Sequence, residues 1–199
     1  MKAQNKTIKR IKENITEVEY KKLMSFTRGN ENIRSNTKSN LLRAYSILYF
    51  CGLRVNELQE LRIKNIKELL ENGTTKIILP KTQSERKLYL TKDFKKELVK
   101  LFDMTIEDDE NRIITKGSNK NKRTGINVIT FISMINSSIK EILGSGFTSH
   151  SFRQGIITEM GSKGINTKII SKFVGHSDIK TTMRYINPTD EDIQNSLIR

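Results

Sequence analysis

Four short stretches carry side chains whose types and spacing suit acid–base or nucleophilic chemistry on an anion. In Cys51-Gly52-Leu53-Arg54-Val55-Asn56-Glu57-Leu58, Gly52 permits a tight turn and Arg54 follows at a helix start. Exposed N–H groups there also favour an anion. Glu57, three residues on, can lie beside Arg54 and fix its guanidinium, although an ordinary surface ion pair would carry the same residues. Lys81 falls in the polar run Pro80-Lys81-Thr82-Gln83-Ser84-Glu85-Arg86. Its long stem could bring an ammonium to a phosphate or a leaving oxygen, but so could Arg86 or Lys87, and a solvated turn lysine is the plainer reading. In His150-Ser151-Phe152-Arg153 the two functional side chains are one helical turn apart and can converge on a single phosphate. The arginine would hold two non-bridging oxygens while the imidazole moves a proton. The fourth stretch runs from Gly175-His176 to Tyr185, with Ser177 or Asp178 placed to cap a helix that returns the phenol toward the same pocket. A half-buried tyrosine with a satisfied hydroxyl would show the same spacing.

The elements that must position these groups follow from the apolar periodicity. Thr16 to Phe26 reads as a helix with Thr16 as N-cap, and about 36 to 50 as a second helix burying Leu41, Leu42, Tyr45, Leu48 and Tyr49. Gly52 breaks it, and a short helix from Val55 to Leu61 follows. Thr74 to Leu79 and Lys87 to Leu90 are β-like and predict a hairpin, with Arg112 to Thr115 as a third short strand. Thr91 to Leu101 returns to helical spacing. The segments 126–143, 151–162, 166–173 and 178–187, with a tail helix near 190–198, complete the set. The expected fold is mainly α with one small antiparallel β-sheet (α+β). Residues 1–14 form a basic arm, and 15–199 a single catalytic domain that includes the tail helix.

Composition narrows the partner. Thirty-six basic against 22 acidic residues leave a formal charge of +14. Such a surplus suits a polyanion, because lysine and arginine displace condensed counterions from nucleic acid. Lys116 to Arg123 is a basic loop, and Met104 to Asn111 is acidic. The N-terminal residues contain no apolar run that would serve as a secretory signal, and Ala44 to Leu53 is too short to span a bilayer. The single cysteine, Cys51, excludes an internal disulfide and a Cys-rich zinc site, and two histidines equip the chain poorly for a structural metal. A soluble protein of a reducing compartment fits.

Singly these signals are weak, but their joint order is specific. Arg54, Lys81, His150, Arg153, His176 and Tyr185 resemble the active-site set of the tyrosine recombinases, the phage integrase family, in that family's order. The G-L-R-x-x-E-L and H-x-x-R patterns and the Gly175-His176 pair, followed by threonine and Tyr185, carry the resemblance from about Ile15 to near the C-terminus. Gln154 departs from it, since many relatives have a second histidine there. The resemblance implies the tyrosine-recombinase catalytic-domain fold and a site-specific DNA recombinase that needs no cofactor or metal. Strands would be cleaved through a covalent 3′-phosphotyrosyl link at Tyr185. Arg54 and Arg153 would clamp the phosphate, Lys81 would protonate the departing 5′-oxygen, His150 would assist proton transfer at Tyr185, and His176 would hydrogen-bond the phosphate. It further implies double-stranded DNA as partner, two protomers per site and four in a synapse, with the tail helix (Ile193, Leu197, Ile198) docking on a neighbour.

Most relatives carry a separate N-terminal clamp domain. Only about 14 residues precede the catalytic part here, so a solo-domain recombinase is expected, and Lys2, Lys6, Lys9, Arg10 and Lys12 either grip phosphates partly in its place or form a disordered tail. Inversion, integration, excision and dimer resolution all remain open. The bacterial cytoplasm is the expected compartment, with a plasmid, phage or organelle genome compatible. Two rivals stand beside this reading: a type IB topoisomerase, and a DNA-binding accessory protein without enzymatic activity.

Overall fold

The apolar face foreseen over residues 36–50 becomes the hub of the structure. The computed structural model describes residues 13–79, 83–105, 107–116, 124–186, 190, 193, 194 and 197. Among these, the elements in chain order are α1 (Glu17–Gly29), α2 (Ser35–Cys51), α3 (Val55–Leu58), α4 (Ile63–Asn72), β1 (Thr74–Ile78), β2 (Glu85–Tyr89), α5 (Lys92–Leu101), α6 (Val128–Leu143), α7 (Ser149–Ser162), α8 (Thr167–Val174) and α9 (Ile179–Met183). Helix α2 buries Leu41, Ala44, Tyr45, Ile47 and Leu48 and packs against α1, α3, α5 and α7. Thr16 caps α1 as expected: its hydroxyl accepts from the Val18 N–H, and Glu19 returns the favour to the Thr16 N–H. No helix among the described residues is long and apolar enough to cross a membrane.

The mainly helical fold with one small sheet is the observed one, with three differences in detail. A ten-residue helix, α4, occupies 63–72, where no element was expected. Its apolar residues Ile63, Ile66 and Leu69 recur every three positions and are buried, and the helix packs on β1. The expected third strand is absent among the described residues, where the sheet is the antiparallel pair β1–β2, in register from Thr74 opposite Tyr89 to Ile78 opposite Glu85. Residues 112–115 make one bridge, Arg62 to Arg112. Side chains take other backbone groups there: Arg43 donates to the Ile113 carbonyl at 3.2 Å, and Asn40 donates to the Thr115 carbonyl at 2.8 Å and accepts from its N–H at 3.1 Å. The helix expected over 178–187 ends at Met183. Most of the basic arm, Lys81, most of the basic loop and much of the tail, including Ile198, lie outside the described residues.

A second, smaller apolar cluster seats the segment after α9. Ile157, Ile170 and Val174 form its floor, and Tyr185 and Ile186 pack against it, so the segment after α9 rests on α7 and α8. On the opposite side of α7 the chain passes at Ile15, so close that a Cβ at Gly155 would stand 2.3 Å from the Ile15 carbonyl oxygen. Only glycine allows this approach. Gly155→Ala is therefore expected to cost about 3 kcal/mol of stability in denaturant unfolding, in the range of core overpacking. Gly29→Ala, whose added methyl meets nothing within 4 Å, should leave stability unchanged or slightly raised.

Candidate active site

Two helix C-termini converge at the centre of the molecule, and buried arginines occupy the space between them. The last carbonyls of a helix lack intrahelical donors and carry the negative end of its dipole, so a guanidinium satisfies both needs. Arg153, on the first turn of α7, is 1% exposed. It donates from Nη1 to the Gly52 carbonyl at the end of α2 (2.7 Å) and from Nη2 to the Val174 carbonyl at the end of α8 (2.5 Å). Its Nε points at His176 Nε2, 3.4 Å away. Gly52 turns the chain out of α2 with φ +57°, a conformation glycine takes freely, and Arg54 follows as the N-cap residue of α3. Arg54 keeps its side chain 40% exposed while Nη1 donates to Glu57 Oε1 at 2.7 Å.

The remaining groups arrive from α7 and the α8–α9 region. Gly175 ends α8 in the left-handed conformation, and His176 follows with its N–H on the Ser171 carbonyl. The ring Nδ1 lies 2.8 Å from the buried Thr182 hydroxyl. With Arg153 donating toward Nε2, the proton sits on Nδ1 and is donated to Thr182. Asp178 caps α9, and a turn past its end places Tyr185 with its N–H on the Thr182 carbonyl. The Tyr185 hydroxyl is 3.3 Å from His150 Nε2, and its carbonyl accepts from the Thr158 hydroxyl. Arg54, His150, Arg153, His176 and Tyr185 thus form one linked group, and Lys81 lies outside the described residues. Arg54 and His176 line a cleft of about 1070 Å³ whose wall includes Lys76, Lys87 and Lys172.

Of the side chains that the sequence analysis set against Lys81, Arg86 is committed elsewhere. It is buried on β2, donating to Glu57, to the Cys51 carbonyl and to the Phe173 carbonyl. Lys87 points to the exposed face, 5.7 Å from the Tyr89 ring. The inward position of Arg86 was available from its two-residue phase with Leu88. Thr182 carried a signal as the threonine of the Gly175-His176 pattern, but the sequence assigned it no role.

With three guanidiniums, Arg54, Arg86 and Arg153, gathered around the Glu57 carboxylate, this region holds more positive than negative charge. Burial and the charges of Arg54 and Arg86 press the Arg153 pKa below its ordinary value. Burial, then Arg153, Arg54, Arg86 and His150, push His176 down to about 4, so its ring is neutral at pH 7.

The family described as phage integrase matches residues 13–192. The chain belongs to that family. A tyrosine recombinase of Pseudothermotoga lettingae is 26% identical over 147 residues, covering 74% of this chain and 49% of the relative. The crystal structure of XerA recombinase superposes with a TM-score of 0.69 at 19% identity, over 98% of this chain and 65% of the other. The XerH recombinase bound to a palindromic difH substrate in a post-cleavage complex gives 0.68 at 17%, over 94% and 52%. The chain therefore spans about half to two thirds of the lengths of these proteins, and it has the fold of tyrosine-recombinase catalytic domains.

The depressed pKa of His176 has a thermodynamic consequence. Below the ordinary histidine value the unfolded state binds the proton that the folded ring refuses. The contribution is thus complete above about pH 6.5 and is lost as the pH falls toward 4. Ring-proton NMR should give a midpoint near 4 for His176, and replacing it with glutamine should flatten the stability–pH profile between these limits. A midpoint near 6.5 would contradict the half-buried, cation-surrounded setting.

Proposed function

We propose that this chain cuts and rejoins double-stranded DNA at specific sites, with Tyr185 as nucleophile. The observation that carries the reading is the 3.3 Å approach of the Tyr185 hydroxyl to His150 Nε2, on the segment that Thr182 joins to His176, which with Arg54 lines the cleft. As the Tyr185 oxygen forms its bond to phosphorus, its proton passes to His150. The phosphorus–5′-oxygen bond breaks, and the departing oxygen takes a proton from Lys81. A 3′-phosphotyrosyl link remains. It retains the energy of the original ester, so a free 5′-hydroxyl can attack it and return the phenol.

Charge growing on the non-bridging oxygens meets Arg54 and the N–H groups of Arg153 not used by the helix ends, which act without reorganising. To hydrogen-bond the phosphate, His176 would move its proton to Nε2, and the Thr182 hydroxyl, both donor and acceptor, can then donate to Nδ1. Residues 15–199 act as the catalytic unit, in the cellular compartment that holds the target DNA, with the bacterial cytoplasm as first expectation. Two protomers occupy a site and four a synapse. Exposed Ile193 and Leu197 supply apolar anchors for a neighbour, and their exposure, 51% and 74%, favours that use.

Tyr185→Phe is the direct test. Incubated with DNA from either side of its gene, wild type should give a covalent protein–DNA band on denaturing gels and the variant none. On native gels the variant should still bind in two successive steps, one protomer each. Adduct formation by the phenylalanine variant would overturn the nucleophile, and a single binding step the pairing.

A further inference from the structure

We propose that Arg86 is a positioning residue: it holds one oxygen of Glu57 so that Arg54 is gripped by the other alone and keeps its free N–H groups toward the cleft. The inference rests on the strand-cleaving reading above and concerns a residue outside the six assigned to the chemistry.

The Glu57 carboxylate, 3% exposed, is shared between two arginines. Oε1 accepts from Arg54 Nη1 at 2.7 Å. Oε2 accepts from the Arg54 backbone N–H and from Arg86 Nη1, both at 3.0 Å. Left to themselves, a carboxylate and a guanidinium form two parallel bonds. Such a fork would draw Arg54 down onto Glu57 and spend the donors that a phosphate needs. Arg86 prevents this by occupying Oε2.

Arg86 is itself immobilised from both sides. Nη2 donates to the Cys51 carbonyl at 2.5 Å and Nε to the Phe173 carbonyl at 2.9 Å. These residues immediately precede Gly52 and Val174, whose carbonyls bind Arg153. The two guanidiniums therefore clamp the same pair of helix ends, one facing the chemistry and one behind it. The Arg86 stem also lies against Gly175, where an added Cβ would stand 3.2 Å from its Cδ. One buried cation on the hairpin that carries Lys81 in sequence thus touches the supports of both Arg54 and His176. Lysine keeps the charge but, as a point donor, cannot reach three acceptors in three fixed directions.

The test is a double-mutant cycle on the first-order rate of covalent adduct formation, with DNA from the gene's flanks and each variant's fold checked by thermal melting. Arg86→Lys and Glu57→Gln should each slow the reaction about tenfold, with DNA affinity held within about twofold. Because both act through one link, the double variant should also be slowed about tenfold rather than about a hundredfold. A structural arginine would lower the melting temperature and leave the rate per folded molecule unchanged. Should Arg86→Lys fail to fold, Glu57→Gln alone decides. A wild-type rate in the folded variant, or multiplied losses in the double variant, would overturn the inference while leaving the function intact. No adduct from wild type would overturn the function, and the inference with it.

Discussion

The convergence of two helix C-termini on buried guanidiniums is the constraint from which the rest of the site follows. Helices α2 and α8 end within reach of the same guanidiniums, and their last carbonyls, lacking intrahelical donors, demand others. Arg153 answers through Gly52 and Val174, and Arg86 through Cys51 and Phe173. Burying a cation is costly unless it is fully hydrogen-bonded, and here the negative ends of two helix dipoles offset part of that cost. Each helix end then leads into a segment of the candidate site: Gly52 leads within two residues to Arg54, and Gly175 within one to His176.

Under the proposed function, this arrangement is electrostatically prepared for a phosphate before one arrives. Arg54 is the most accessible of the three guanidiniums, and Arg153 is held rigidly beneath it. Burial, and then their field, keep His176 uncharged, so its ring can serve as a hydrogen-bonding group rather than a fixed cation. Tyr185 stands apart on a short turn, seated on Ile157, Ile170 and Val174 and tethered through its carbonyl to Thr158. Under the proposed function, a nucleophile that must attack and later leave is thus carried by a light attachment on a rigid base.

Much of this was legible in the sequence, for identifiable reasons. The helices with clear apolar faces, the Thr16 cap, the Gly52 break and the hairpin are local features, and local chemistry announces them. The grouping of Arg54, His150, Arg153, His176 and Tyr185 followed from the order of motifs rather than from periodicity, which alone could not bring residues 54 and 153 together. What escaped were non-local exchanges. Residues 112–115 have strand-like composition, but the Asn40 side chain takes the Thr115 backbone groups that a ladder would use. Helix α4 is different, because its apolar face of Ile63, Ile66 and Leu69 is written locally in the sequence. Arg86, weighed as a rival to Lys81, turns inward because its strand phase places it with Leu88, and a buried arginine is uncommon enough that composition argues against it.

The nucleophile is the central claim, and peptide mapping of the covalent complex tests it most directly. Wild-type protein would be trapped on DNA, digested with nuclease and protease, and analysed by mass spectrometry. The chain has five tyrosines, so the site of attachment discriminates. A nucleotide joined through its 3′-phosphate to the peptide containing Tyr185 is the expected result. A nucleotide on any other residue, or strand cutting that leaves no nucleotide on the protein, would contradict it.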